Sequence, residues 1–156
     1  MKRRAFLTLA LSGAAVAITG CSSRGGAKDD EGTGTGAYGY DEASLQARID
    51  SKTVYFEFDS SNIRAEDYPV LDAHASRLAS SGKRVVIEGH CDERGTREYN
   101  LALGERRANT VRRYLMSRGV SSSQIEVVSY GEERPADYGH NESAWSRNRR
   151  AFLDYS

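Results

Sequence analysis

The pattern of apolar and polar residues divides the chain from residue 53 onward into alternating strands and helices. β-branched and aromatic runs predict strands at Val54–Phe58, Arg84–Gly89, Gln124–Tyr130 and Arg149–Tyr155. Apolar residues spaced three and four apart predict long helices between Asp67 and Gly82 and over Thr96–Arg118, and a short one at Glu142–Asn148. This order predicts a two-layer α/β (α+β) sandwich, βαβαβ plus a final strand, with two main helices on one face of a mixed four-stranded sheet.

The first predicted strand runs into a polar turn. Val54, Phe56 and Phe58 occupy alternate positions, so the strand pattern predicts that all three face the core. Asp59 follows directly and starts the turn. An aspartate at this position commonly accepts a hydrogen bond from the backbone two residues on, as an Asx turn, which is one interpretation of Asp59.

The N-terminus has the features of an export signal. Lys2, Arg3 and Arg4 precede a mostly apolar segment, Ala5–Ile18, which is shorter than the ~20 residues of a membrane-spanning helix. The segment ends in Ile18-Thr19-Gly20-Cys21, which resembles a bacterial lipobox. We therefore expect residues 1–20 to be a lipoprotein signal peptide that is cleaved before a lipidated Cys21. An ordinary secretory signal followed by an unmodified cysteine stays open as the alternative.

Glycine, serine, threonine and charged residues dominate the segment that follows. Residues 21–50 are therefore interpreted as a lipidated cysteine and a flexible tether, in which Ala43–Ile49 could form a helical turn or two. Residues 51–156 form the predicted folded domain. A lipid anchor, a tether and a folded head together would keep the head at a distance from a membrane.

The charge balance argues against nucleic-acid binding, and the positions of the histidines and cysteines argue against a thiol protease and a zinc site. The 22 Lys and Arg residues balance 22 Asp and Glu residues, so the chain lacks the basic excess typical of nucleic-acid binding. His90 and Cys91 are neighbours in a strand and point to opposite faces, which disfavours a thiol-protease site. His74, His90 and His140 lack the spacing of zinc ligands. We predict no catalytic residue, no metal and no cofactor.

One stretch brings opposite charges to the start of a long helix. Glu88–Gly95 runs from the end of a strand through a polar loop that carries Asp92. In the helix that follows, Asn100, Leu103 and Arg107 are three and four residues apart and share one face. A carboxylate and a guanidinium near a helix start suit a ligand with both an ammonium and a carboxylate. That Asn100 merely caps the helix and Arg107 merely pairs with a nearby acid is an equally open interpretation.

The same residues resemble a known family. Gly89-His90-x-Asp92-x-x-Gly95 and then Tyr99-Asn100-x-x-Leu103-Gly104-x-Arg106-Arg107-Ala108 are similar to the motifs of the OmpA-type C-terminal domain family. The resemblance covers roughly Thr53–Tyr155 and is strongest to the lipid-anchored members. It implies the same two-layer fold and non-covalent binding to the peptide stem of peptidoglycan.

The resemblance also implies roles for individual residues. The ligand in the family is the diaminopimelate residue of the stem, which has a free ammonium and a free carboxylate. Asp92 would accept the ammonium, and Arg107 would bind the carboxylate with help from backbone N–H groups. Asn100 would orient the pocket, and Leu103 would pack under the aliphatic part of the ligand.

The remaining implications concern the opposite wall and the partners. Phe58 and Asp59 would form the second wall of the pocket, with a contribution from Arg150. The resemblance implies a lipid-anchored protein of the outer membrane that faces the periplasm and acts with the Tol system in envelope integrity and cell division. Its expected protein partner is the β-propeller component of that system. The alternative is a protein-interaction module that docks a periplasmic Tol partner, with wall binding incidental.

Overall fold

The computed structural model describes residues 42–155. Its helices and strands are α1 Glu42–Asp50, β1 Thr53–Tyr55, α2 Tyr68–Ser81, β2 Val85–His90, α3 Arg97–Ser117, β3 Ile125–Gly131, α4 Glu142–Asn148 and β4 Arg150–Tyr155. The sheet order is β1-β4-β2-β3. β4 runs antiparallel to β1 and β2, while β2 and β3 are parallel. The predicted mixed sheet of four strands is therefore confirmed.

The core lies between one face of the sheet and the two long helices. The side chains that form it are fully or almost fully buried and come from alternate strand positions and from the inner stripes of α2 and α3: Val54, Val85, Ile87, Ala151, Leu153, Leu71, Leu78, Val111 and Leu115. The intervening strand residues Val86 and Phe152 are only half-buried. This difference follows from the two-residue period of a strand, which sends alternate side chains to opposite faces.

Two glycines let α3 approach the sheet closely. A Cβ atom at Gly89 in β2 would lie 1.9 Å from the carbonyl oxygen of Gly104 in α3. A Cβ atom at Gly104 would lie 2.4 Å from the hydroxyl oxygen of Ser129 in β3. The Ser129 hydroxyl donates to the carbonyl of Leu101 at 2.6 Å, which ties β3 to the same helix. This contact positions the first turns of α3 beside the end of β2.

The first strand is shorter than the prediction. β1 ends at Tyr55, and although the Phe56 amide still donates to the Arg149 carbonyl at 2.9 Å, the chain then leaves the sheet. Phe56 is buried as expected, but Phe58 is 56% exposed, so its predicted place in the core is wrong. The reason is that the Glu57 carbonyl bonds to a helix side chain, Arg107, at 3.1 Å and not to a neighbouring strand.

The folded part of the chain begins earlier than residue 51. α1 packs against α2, so residues 42–50 belong with the head and not with the tether in which the prediction placed them. The predicted signal peptide, the predicted lipidation site Cys21 and the rest of the predicted tether fall within residues 1–41, which lie outside the described residues. Among the helices of residues 42–155, none combines the length and apolar character that crossing a bilayer requires.

Replacing Gly104 with alanine tests the close contact between α3 and the sheet. Alanine is intrinsically better than glycine in a helix by ~1 kcal/mol. The new methyl group would collide with the Ser129 hydroxyl and approach the Gly89 carbonyl oxygen at 2.9 Å. Overpacking of this kind costs ~1–3 kcal/mol, so we expect Gly104→Ala to lower the free energy of unfolding in urea.

Glu105→Ala is the matched control, because Glu105 is exposed on the same helix. Its effect should stay within about 0.5 kcal/mol of wild type. A Gly104→Ala protein that is more stable than wild type would show that helix propensity dominates and that the contact is loose.

Candidate functional site

A cavity of about 180 Å³ opens where the end of β2, the chain after β1 and the start of α3 meet. The residues that line it come from these segments and from the residue before β4: Phe58, Asp59, Cys91, Asp92, Arg94, Gly95, Tyr99, Asn100, Leu103, Arg107 and Arg149. The closeness of α3 to β2 at Gly89 and Gly104 brings these segments together. The cavity combines aromatic, aliphatic and charged side chains, as small-molecule sites generally do.

All the side chains that the sequence predicted for the site line this cavity except Arg150. Arg150 donates to the carbonyls of Asn148 and Arg134, at 3.5 and 3.2 Å, outside the cavity lining. Arg149 lines the cavity in its place. Neighbouring residues of an extended chain point in opposite directions, so only one of the two can reach the site.

Asp92 is a buried carboxylate with four protein donors. Its side chain accepts hydrogen bonds from the Arg94 amide and Nε, both at 3.1 Å, from Arg94 Nη2 at 2.7 Å and from Arg149 Nη1 at 3.3 Å. Burial would raise the pKa of Asp92, but the bonds from Arg94 and Arg149 outweigh it and keep this pKa below its usual value. Asp92 is therefore ionised at neutral pH.

Arg107 is completely buried and binds mainly to backbone. Its Nε donates to the Ser60 carbonyl at 2.8 Å, its Nη1 to the His90 carbonyl at 2.7 Å and its Nη2 to the Glu57 carbonyl at 3.1 Å. Nη1 also lies 3.3 Å from the sulfur of Cys91. These contacts use four of the five N–H donors of a guanidinium. Arg107 thus joins the chain after β1 to the end of β2 and forms a cavity wall.

Asn100 braces the loop between β2 and α3. Its amide nitrogen lies 3.2 Å from the Asp92 carbonyl, 3.3 Å from the Arg94 carbonyl and 2.5 Å from a carboxylate oxygen of Glu132. The helix cap is a different residue, because the Thr96 hydroxyl accepts from the amide of Tyr99 at 3.2 Å. The capping interpretation of Asn100 is therefore wrong, and its side chain fixes the backbone on either side of the loop.

Tyr99 and Asp59 meet at the mouth of the cavity. The Tyr99 hydroxyl donates to the Asp59 carboxylate across 40 residues of sequence. Asp59 has φ of 50°, a left-handed conformation that is uncommon outside glycine and often marks a functional position. The Asx-type bond expected at Asp59 occurs instead at Asp92, whose carboxylate accepts from the backbone amide two residues on.

Arg94 is the most important site residue that sequence reasoning missed. Its guanidinium lies between two aromatic rings, 4.1 Å from the centroid of Phe58 and 4.2 Å from that of Trp145. Cations over ring faces at these distances are attracted to the ring electrons. Its position two residues after Asp92, in a turn, was a signal that the two could pair. No comparable signal in the sequence pointed to Trp145, because it reaches the site from a separate helix, α4.

Cys91 lines the cavity as a buried, uncharged thiol. Its sulfhydryl donates to the Asn100 carbonyl at 3.3 Å, and burial raises its pKa to about 11. A thiol nucleophile needs a lowered pKa, so Cys91 has the wrong ionisation for that chemistry. No cluster of three or more metal-binding side chains occurs within residues 42–155.

Comparison with known proteins places this geometry in a family. Residues 55–149 match the OmpA family. The peptidoglycan-associated lipoprotein of Pseudomonas aeruginosa is 52% identical over 163 aligned residues, which cover 95% of this chain and 94% of the relative. These matches extend well beyond the motifs that line the cavity.

Solved structures agree with the sequence matches. The peptidoglycan-associated lipoprotein of Burkholderia pseudomallei superposes with a TM-score of 0.69 at 45% identity, over 70% of this chain and 93% of that one. The C-terminal domain of MotB from Helicobacter pylori shares the fold alone, with a TM-score of 0.62 at 20% identity over 67% of this chain and 83% of that one. The chain therefore belongs to the OmpA family, within its group of peptidoglycan-associated lipoproteins.

Proposed function

We propose that the folded head binds the peptide stem of peptidoglycan non-covalently and that the cavity around Asp92 receives the free end of its diaminopimelate residue. The observation that carries the proposal is the buried, ionised Asp92 at a cavity that also presents guanidinium groups. An amino-acid head group with one ammonium and one carboxylate complements both kinds of charge. The names of the related lipoproteins support the coarser part of the proposal, an association with peptidoglycan.

The size of the cavity suits a small head group. A cavity needs a volume of only about 10–15 Å³ to hold one ordered water molecule, so a cavity of about 180 Å³ has room for several non-hydrogen atoms of a ligand. Leu103 is buried in the cavity wall and offers an apolar surface to the methylene groups next to the head group. Phe58, more than half exposed, offers a second apolar surface at the mouth.

The charges divide the head group between two sides of the cavity. The ammonium is bound by Asp92, and the carboxylate lies toward the guanidinium groups of Arg94, Arg107 and Arg149. Each charge-assisted hydrogen bond contributes ~1.5–3 kcal/mol. Asn100 serves by fixing the backbone of the loop that carries Asp92. No step of this binding requires a catalytic residue, a metal or a cofactor.

The cellular setting rests on the resemblance and on the N-terminal motif. We propose that Cys21 carries lipid, that the lipid anchors the chain to the outer membrane facing the periplasm, and that the head thereby tethers this membrane to the wall. We also propose that the head contacts the β-propeller component of the Tol system, in envelope integrity and cell division. The alternative, a module in which that contact dominates and wall binding is incidental, has no specific feature of residues 42–155 in its favour.

A cycle of protein and ligand changes tests the role of Asp92. The ligands are a stem tripeptide that ends in diaminopimelate and an analogue in which the free ammonium is replaced by hydrogen. Binding is measured by calorimetry. For the wild type we expect the analogue to bind about ten- to a hundredfold more weakly, the equivalent of one charge-assisted bond. For Asp92→Asn the two ligands should differ little, because the group that reads the ammonium is gone.

Asp154→Asn is the control, since Asp154 is exposed on β4 and lines no part of the cavity. It should reproduce the wild-type preference. If Asp92→Asn, with an unchanged circular dichroism spectrum, discriminates between the two ligands as strongly as the wild type does, Asp92 does not bind the ammonium and this function is misplaced in the molecule.

One fractionation experiment tests both the lipid anchor and the protein partner. In cells with the wild-type chain, we expect the chain and a portion of the Tol propeller to sediment with the outer membrane. Cys21→Ala removes the thiol that carries lipid, so the chain should leave the outer-membrane fraction as a soluble or unprocessed form, and the propeller should leave this fraction with it. Ser23→Ala keeps Cys21 and serves as control. A Cys21→Ala chain that stays wholly with the outer membrane and still incorporates fatty acid would contradict lipidation, and a propeller distribution that does not follow the chain would contradict the partnership.

A further inference from the structure

The carboxylate of Asp92 has no hydrogen-bonding capacity left for a ligand. A carboxylate has about four lone-pair positions, and four donors of Arg94 and Arg149 lie at Asp92. The residue is only 4% exposed. A ligand ammonium can therefore bind Asp92 only if one of these donors moves away.

The Arg94 side chain is the donor best able to move. Arg149 is held at 3.0 Å by the Phe56 carbonyl and at 2.7 Å by Glu142, and its side chain is 6% exposed. The Arg94 side chain is 30% exposed and, apart from Asp92, has Glu142 at 3.6 Å as its nearest acid. It also lies against the rings of Phe58 and Trp145, and a guanidinium can move across or away from a ring face without breaking a hydrogen bond to it.

We propose that Arg94 exchanges partners when a ligand binds. The ligand ammonium replaces the Arg94 guanidinium on Asp92, and the released guanidinium pairs with the ligand carboxylate. This inference rests on the proposed function and assigns Arg94 as the residue that selects for a head group with both charges. Arg107 is less suited to that task, because four of its five N–H donors are already engaged.

The exchange explains why both charges of the ligand are needed. A ligand with only an ammonium takes Asp92 but leaves Arg94 without its strongest partner. A ligand with only a carboxylate must draw Arg94 away and leaves Asp92 short of donors. A ligand with both charges replaces one ion pair with two, so Arg94 acts as an internal competitor that only such a ligand compensates.

The consequence can be measured on a tripeptide in which the carboxylate next to the free ammonium of diaminopimelate has been amidated. Amidation should weaken binding to the wild type by about tenfold or more, because the displaced guanidinium then has no anion to bind. In Arg94→Gln the competitor is absent. The amidated tripeptide should therefore bind Arg94→Gln more tightly than it binds the wild type, while the penalty for amidation falls below about threefold.

Trp145 supplies an independent signal, because it is the single tryptophan of the chain and its ring lies against Arg94. Both titrations use the full chain in detergent. We expect the unmodified tripeptide to change the fluorescence emission of Trp145, and the midpoint of this titration should equal the one measured by calorimetry. The change should be largely lost in Arg94→Gln. Arg113→Gln removes an exposed arginine of α3 away from the cavity and should behave as the wild type in both measurements.

The outcomes separate this inference from the proposed function. If the wild type binds no tripeptide, the function itself fails. If binding depends on Asp92 but amidation weakens Arg94→Gln as much as the wild type, the carboxylate is held elsewhere and the exchange does not occur. If Arg94→Gln weakens the binding of the unmodified and of the amidated tripeptide by the same factor, Arg94 does not bind the ligand carboxylate and serves only to position Asp92. Arg94→Lys keeps a charge and should retain sensitivity to amidation, which guards against a folding defect in the glutamine variant.

Discussion

The site depends on one buried cation. Arg107 projects inward from α3 and is itself 0% exposed, and an unpaired guanidinium at such a buried position would be very costly. Burial accordingly lowers the pKa of Arg107. Its charge is compensated by the carbonyls of Glu57, Ser60 and His90 at 2.7 to 3.1 Å, and by the nearby charge of Asp92. Glu57 and Ser60 lie beyond the end of β1, and His90 is the last residue of β2. The cavity therefore lies at the edge of the sheet, where Arg107 binds carbonyls of both segments.

Arginine thus has two different tasks around the cavity. Arg107 and Arg149 are buried and bind backbone carbonyls, which fixes the walls. Arg94 is partly exposed and is held by the carboxylate of Asp92 at 2.7 Å, that of Glu142 at 3.6 Å and two aromatic rings. A rigid wall keeps Asp92 in place, and a movable cation at its surface lets the site respond to the charges of a ligand. The same side-chain chemistry serves both purposes because burial, and not residue type, decides which arginine can move.

Much of the fold could be predicted because its signals are local. The alternation in β2 and β4 and the spacing along α3 reproduce the observed elements closely, and Asn100, Leu103 and Arg107 are all buried on one helix face. The failures arise where distant segments decide. Phe58 is exposed because the preceding carbonyl, that of Glu57, accepts a hydrogen bond from the distant residue Arg107 and not from a neighbouring strand. Arg149 replaces Arg150 because the start of β4 sets which neighbour faces the cavity, and strand ends are poorly defined by pattern.

The proposed function depends on whether Asp92 binds the ammonium of a diaminopimelate head group inside this cavity. A crystal structure of the full chain with the stem tripeptide answers this question. We expect the ammonium nitrogen to lie within about 2.7–3.2 Å of a carboxylate oxygen of Asp92. We also expect the aliphatic chain to lie against Leu103 and the walls formed by Arg107 to be unchanged. A head group bound outside the cavity, or one whose carboxylate and not its ammonium lies nearest to Asp92, would show that Asp92 does not have this role.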